Sequence, residues 1–168
     1  MKKTFFFIIF CCFMFSEACF AWTGSVSAIK EGAVLSIIQE ETGEIIQTRL
    51  YGIETPECPR RERDGQPFCH ETAAFINNAF PKGARVSVIN LGFDVYNREI
   101  YTIVSLPDGK VLQEELLKEG LAWVYPEFCY GCTQWTELQN RAKADKKGLW
   151  SEPDPVSPWD FRKGRAAW

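Results

Sequence analysis

Most of the chain between Val26 and Leu106 has the pattern of β-strands. Short runs rich in Val and Ile are separated by turn residues such as Glu41-Thr42-Gly43 and Pro107-Asp108-Gly109. Five strands are predicted from these runs: Val26 to Ile29, Val34 to Ile38, Ile45 to Ile53, Arg85 to Leu91 and Arg98 to Leu106.

Helical periodicity appears in three further segments. Apolar residues recur every three or four positions from His70 to Phe80. Two more helices are predicted from Gln113 to Glu119, before Gly120, and from Thr133 to Lys146, before Gly148. The fold class is therefore α+β. Five strands with about three α-helices suit a small closed β-barrel of the oligonucleotide-binding (OB) type.

The last residues, Glu152 to Trp168, are proline-rich and then basic and aromatic. This composition predicts an extended tail rather than a helix, with Trp159 and Phe161 packed on the barrel and the basic end loose. A tail that binds nucleic acid through cations and aromatic rings is the alternative. Residues 22–151 are then expected to form one domain, and residues 152–168 the tail.

Residues 1–21 have the features of a secretory signal peptide. Lys2 and Lys3 precede an apolar run from Thr4 to Phe15, and Cys19-Phe20-Ala21 has small residues where signal peptidase cleaves. The run is short for a membrane span, so a retained anchor is an alternative, as is lipidation at Cys19. We expect a periplasmic or secreted monomer with no membrane attachment after cleavage.

Composition limits the function classes. The 168 residues carry a formal net charge of −3, which argues against nonspecific coating of DNA but is compatible with a local cationic cleft. His70 is the single histidine. Nucleases that need paired histidines and metal sites built from several histidines are thereby excluded.

Four cysteines remain after removal of the signal peptide: Cys58, Cys69, Cys129 and Cys132. An even number in an exported protein predicts two disulfides, although four cysteines allow three pairings. We favour Cys58 with Cys69 and Cys129 with Cys132; a cross-pairing between the two loops is the alternative. A thioredoxin-like redox motif or a zinc site suits this context less well.

Chemistry-bearing residues concentrate between Thr48 and Glu57. This segment combines Arg49 with the carboxylates of Glu54 and Glu57 at a turn, which by itself also fits an ion pair closing a strand end. A second arginine, Arg98, lies at another turn. Two arginines and a glutamate suit phosphodiester hydrolysis, because guanidinium groups grip phosphate oxygens and a carboxylate accepts a proton from water.

Four segments follow one another along the chain: Arg49 to Glu57, Asp94 to Arg98, Leu116 to Ala122 and Lys146 to Trp150. With these segments in this order and spacing, the chain resembles the staphylococcal nuclease family over about Ser25 to Trp150. The resemblance implies the same OB-type barrel.

The resemblance implies a nuclease that cleaves DNA and RNA on the 5′-oxygen side and leaves 3′-phosphates. Arg49, Glu57 and Arg98 match its catalytic residues. Glu57 would act as general base or position the water. Arg49 and Arg98 would stabilise the transition state, and Arg98 would assist the leaving group.

The family uses calcium, and here the chain departs from its pattern. Ala33 stands where the family has a metal-binding aspartate. The remaining ligands by resemblance are Glu54 and the backbone carbonyl of Thr55, with Glu31 as a substitute. Calcium requires several oxygen ligands, so Ca²⁺, another divalent cation or no metal at all remain open.

Aromatic residues near these motifs suggest a surface for nucleotide stacking. Tyr96 and Tyr125 are the candidates for binding single-stranded DNA or RNA, whereas Trp123 is expected in the core. Three functions follow: an exported nuclease, a catalytically weakened OB-fold module that only binds nucleic acid, and a structural envelope protein.

Overall fold

The computed structural model describes residues 21–30, 34–61, 64–93, 99–105, 108–129 and 131–164. The strands in these ranges are β1 (Ala21–Lys30), β2 (Val34–Gln39), β3 (Ile45–Thr48), β4 (Ile53–Glu54), β5 (Arg85–Phe93), β6 (Glu99–Ser105) and β7 (Trp123–Val124). The α-helices are α1 (Cys69–Ala79), α2 (Leu112–Lys118), α3 (Thr133–Ala144) and α4 (Pro158–Arg162), and two 3-10 turns cover Pro126–Phe128 and Gly148–Ser151.

The main sheet has five strands in the order β3-β2-β1-β5-β6, and every neighbouring pair is antiparallel. The edge strands β3 and β6 approach each other. In the described residues, however, no backbone ladder joins them, so the predicted closed barrel is replaced there by an open sheet. The reason lies in β3, which has only four residues before the chain leaves the sheet.

The predicted third strand, Ile45 to Ile53, is wrong as a single element. It ends at Thr48 as β3, turns at Tyr51 and Gly52, and resumes as β4. Gly52 has a φ of +69°, which the straight backbone of a strand does not adopt. Because of this turn, β4 pairs with β7 in a separate two-stranded sheet.

The three predicted helices are confirmed within one or two residues as α1, α2 and α3. The C-terminal segment differs from the prediction, because Pro158–Arg162 forms the short helix α4 rather than extended chain. Ser157 precedes it and accepts a hydrogen bond from the backbone N–H of Asp160. A serine cap followed by proline is a common start signal for a helix, and it overrides the proline-rich composition.

The core lies between the inner face of the main sheet and helices α1 and α2. Its sheet residues alternate along the strands, as a half-buried sheet requires, and those of α1 lie four positions apart. Fully buried members are Val26, Leu35, Ile37, Val86, Val88, Ile76, Phe80, Leu112, Leu116 and Leu117.

The predicted signal peptide falls almost entirely outside the described residues, which begin at Ala21 in β1. Among the helices that the structure does describe, none combines the length and apolar character needed to cross a bilayer.

Candidate active site

The two carboxylates of the site lie on one short turn. Glu54 ends β4, which is held by its pairing with β7, where Glu54 faces Trp123. The backbone N–H of Tyr125 donates to the Gly52 carbonyl over 2.9 Å and extends this pairing. Three residues beyond Glu54, the Glu57 side chain is largely buried, with 16% of its surface exposed.

Gly52 is required where β4 begins. A Cβ atom there would lie 2.6 Å from Cys129 Sγ and 2.9 Å from the Trp135 ring. Its positive φ is also costly for any residue with a side chain. The close approach of the Cys129 loop therefore fixes both the turn and the position of Glu54.

A disulfide and a glutamine hold the chain after Glu57. Cys58 pairs with Cys69 at the start of α1. The Gln66 side chain accepts from the Glu57 backbone N–H at 3.0 Å and donates to the Val156 carbonyl at 2.7 Å. The backbone of Glu57 is thus tied to α1 and to the C-terminal segment.

Both favoured disulfide pairings are confirmed. Besides Cys58–Cys69, the structure joins Cys129 to Cys132, with Cα atoms 5.5 Å apart. Each bridge closes a loop next to the carboxylate turn.

Arg162, in α4, contacts both carboxylates and was not among the candidates from the sequence. The prediction that the basic end of the tail is loose is therefore wrong at Arg162. Its Nη1 atom donates to Glu54 Oε2 at 2.9 Å and to Glu57 Oε1 at 2.7 Å, and Nη2 donates to Glu54 Oε1 at 2.9 Å. The hydrogen bond to Glu54 is the main cause that raises the pKa of Arg162 above its ordinary value. The basic, aromatic composition of the tail was the only signal for it, since its partners lie more than a hundred positions away.

Arg49 lies just beyond β3, exposed to solvent, and lines an open groove of about 560 Å³. Two more cations line this groove, Lys30 from the end of β1 and Arg60 from the loop after Glu57. Arg60 Nη2 is 3.8 Å from Glu57 Oε2, which connects the groove to the carboxylate turn. The arrangement gives this overall acidic chain a local cationic cleft.

Tyr125 follows β7 and is covered by the C-terminal segment. Its ring stacks on Trp159 with centroids 5.0 Å apart, which confirms the expected packing of Trp159. Burial, and then the neighbouring Glu127, raise the pKa of the Tyr125 hydroxyl. Trp123 packs on Trp150 with centroids 4.3 Å apart, beside the small cluster of buried residues to which Trp150 belongs.

Glu54 and Thr55, the described residues among the metal ligands expected from the resemblance, do not form a site that fits a resident cation. Glu54 and Glu57 direct their oxygens at guanidinium groups, and the described residues include no group of three Asp, Glu, His or Cys side chains suited to a metal. Thr55 is buried, and its Oγ1 has no hydrogen-bond partner within the described ranges. Neither this hydroxyl nor the backbone carbonyl of Thr55, which is the ligand that the resemblance implies, supplies the charge of the carboxylate missing at Ala33.

Several candidate residues fall outside the described part of the chain. These are Arg98 and Tyr96 in the second motif and Glu31, the substitute metal ligand, together with Ala33. Their roles stay predictions from the sequence.

The amino-acid sequence is similar to those of a known protein family. The model for staphylococcal nuclease homologues matches residues 47–152, which include the whole carboxylate turn and the groove arginines Arg49 and Arg60. An uncharacterized endonuclease of Escherichia coli is 30% identical over 149 residues, covering 85% of this chain and 91% of that protein. A second one, from Escherichia coli O157:H7, is 28% identical with the same coverage.

A plant relative is similar over a shorter region. The staphylococcal-like nuclease CAN1 of Arabidopsis thaliana is 28% identical over 127 residues, which is 76% of this chain and 36% of the plant protein. The ordered motifs, the sheet with its carboxylate turn and the family match agree, and the chain belongs to the family of staphylococcal nuclease homologues.

Proposed function

We propose that this protein is an exported nuclease that hydrolyses phosphodiester bonds of DNA, RNA or both. Family membership and relatives named endonucleases support the reaction class. One structural observation carries the proposal. The largely buried carboxylate of Glu57 adjoins a groove lined by Lys30, Arg49 and Arg60.

The groove suits a phosphate backbone. Its three cationic side chains come from two strand ends and a loop, and the described residues that line it include no carboxylate. Arginine can bind phosphate oxygens in pairs, while lysine adds a point charge. A single strand of nucleic acid bound in this groove would bring one of its phosphodiester groups near Glu57.

The proposed reaction uses Glu57 as general base. Its carboxylate takes a proton from water while the water oxygen forms a bond to phosphorus. Arg49 and Arg98 neutralise the charge that grows on the phosphate oxygens. The bond from phosphorus to the 5′-oxygen then breaks, and that oxygen receives a proton, leaving a 3′-phosphate and a 5′-hydroxyl.

Tyr125 is proposed as a stacking surface for a nucleobase of single-stranded substrate. In this structure Trp159 stacks on the Tyr125 ring, and the Phe128 ring lies against it as well, each with its centroid 5.0 Å away, so a base would stack on the part of this aromatic cluster that stays accessible. Stacking on aromatic rings contributes about 1–3 kcal/mol per base and tolerates any sequence.

The proposal includes export to the periplasm or the medium as a monomer, by way of the predicted signal peptide.

The decisive substitution is Glu57→Gln, which keeps the shape of the side chain but removes the base. We expect kcat on single-stranded DNA or RNA to fall by roughly 10²–10⁴-fold, the usual contribution of a general base, while oligonucleotide affinity changes little. Gel-based cleavage and fluorescence anisotropy measure the two quantities. Glu137→Gln is the matched control, because Glu137 is an exposed carboxylate on α3.

Equal cleavage by the wild type and Glu57→Gln would refute the proposed mechanism. Salt-sensitive binding with no cleavage by the wild type would instead support the module that only binds nucleic acid. Neither binding nor cleavage would favour the structural envelope protein.

A further inference from the structure

The carboxylates of Glu54 and Glu57 need a positive partner. They lie three residues apart on one turn and are only 21% and 16% exposed. Two neighbouring carboxylates with little access to water repel each other and favour a bound cation. In the staphylococcal nuclease family that partner would be calcium, but this chain has Ala33 where a further carboxylate is needed.

We propose that the guanidinium of Arg162 takes the place of a divalent cation between Glu54 and Glu57, and that Arg162 is therefore a positioning residue of the active site. The positioning role rests on the proposed nuclease function. The competition between Arg162 and a cation for the same carboxylate oxygens does not depend on activity.

Arg162 binds three of the four carboxylate oxygens. Both oxygens of Glu54 and Oε1 of Glu57 accept hydrogen bonds from it at 2.7 to 2.9 Å. The fourth oxygen, Glu57 Oε2, forms an ion pair with Arg60, whose Nη2 atom lies 3.8 Å away. A cation that bridged the two carboxylates would compete with Arg162 for the three bound oxygens, so binding of the one is expected to weaken binding of the other.

Arg162 is held in place by its surroundings, unlike most surface ion pairs. The Ser157 cap starts α4, Gln66 binds the Val156 carbonyl, and Trp159 stacks on Tyr125. A side chain that is already ordered loses less entropy when it forms a bidentate pair. Exposed, unsupported pairs contribute about 0–1 kcal/mol by comparison.

The arrangement has a consequence for catalysis. Arg162 fixes Oε1 of Glu57 and leaves Oε2 near Arg60, a residue that lines the groove, and Oε2 would there receive the proton of the attacking water. The positive charge between the two glutamates then belongs to Arg162, and a chelator cannot remove it. We therefore expect cleavage to continue in the presence of a chelator.

Calcium binding without any substrate tests the competition. Isothermal titration of CaCl₂ into wild type, Arg162→Met and Lys163→Met compares the loss of Arg162 with the loss of an adjacent exposed charge. We expect Arg162→Met to bind Ca²⁺ at least tenfold more tightly than both other proteins. Equal affinity in all three, or no binding by any of them, would overturn the proposal.

Kinetics test the positioning role separately. Wild-type kcat should be unchanged by a chelator, whereas Arg162→Met should lose at least tenfold in kcat with little change in KM, and Arg162→Lys should recover part of the loss. A chelator-sensitive wild type, or an Arg162→Met variant with wild-type kcat, would contradict it. If no protein cleaves nucleic acid, the proposed function fails, and the calcium titration still decides the competition.

A folding defect would not obscure the result. If circular dichroism shows that Arg162→Met is unfolded, Arg162→Lys replaces it in the titration. Lysine is a point charge that cannot bridge three oxygens as the planar fork does. The lysine variant should therefore still bind Ca²⁺ more tightly than the wild type, and equal affinity would refute the competition.

Discussion

At the scale of single residues, the position of the two carboxylates depends on Gly52 and Arg162. Gly52 allows the chain to turn at a positive φ and lets the Cys129 loop approach. Arg162 provides the charge that the two glutamates share. The backbone at one residue and the side chain at the other together decide where the carboxylates lie.

Gly52→Ala should destabilise the protein more than an equivalent change elsewhere. An alanine in the left-handed conformation of Gly52 costs about 1–2 kcal/mol. Its methyl group would also lie 2.6 Å from Cys129 Sγ, and this overpacking adds about 1–3 kcal/mol. Gly43→Ala is the matched control, because Gly43 has a φ of +73° with open space around it. Equal losses of unfolding free energy in urea would show that the contact is unimportant.

At the scale of elements, the segments around the site are held together by crosslinks rather than by long strands. β4 and β7 have two residues each. The Cys58–Cys69 disulfide, the Gln66 bridge and α4 supply the remaining support. The elements nearest the chemistry are therefore the least regular parts of the fold.

Removal of the Cys58–Cys69 disulfide by a double Cys→Ser change should lower the unfolding free energy by about 3 kcal/mol, because the bridge reduces the conformational entropy of the unfolded chain. The Cys129–Cys132 bridge spans only three positions, and its removal should cost about 2 kcal/mol by the same loop-length argument. Thermal unfolding of the two variants gives the comparison. A larger loss for the shorter loop would contradict the entropic account.

At the scale of the whole molecule, charge is distributed unevenly. The net charge is −3, yet Lys30, Arg49 and Arg60 line one groove. Long-range attraction to nucleic acid is therefore weak, and binding depends on the local field of the groove.

Binding of single-stranded DNA should weaken with salt in proportion to the phosphates that the groove contacts. With three cations, a plot of log affinity against log salt should have a slope of about −2. Changing both Lys30 and Arg60 to Met should reduce the slope to about −0.7. Arg141→Met, on the exposed surface of α3, is the control, and an unchanged slope in the double variant would refute a role for the groove.

The sequence by itself determined the features that depend on neighbouring residues. Apolar spacing predicted α1 and α3 within two residues, and four ordered segments between Arg49 and Trp150 indicated the family that the family match confirms. The favoured disulfide pairings were also those of the structure, in which each bridge closes a short local loop. Helical periodicity and motif order are local properties, so a single sequence carries them.

Only the tertiary structure decided the features that join distant segments. It divided the predicted third strand into β3 and β4, because Gly52 turns the chain towards β7. It also brought Arg162 to carboxylates 105 and 108 positions earlier in the chain. No local pattern records such a contact, because it arises from the packing of α4 against Tyr125 and from the need of two largely buried carboxylates for a positively charged partner.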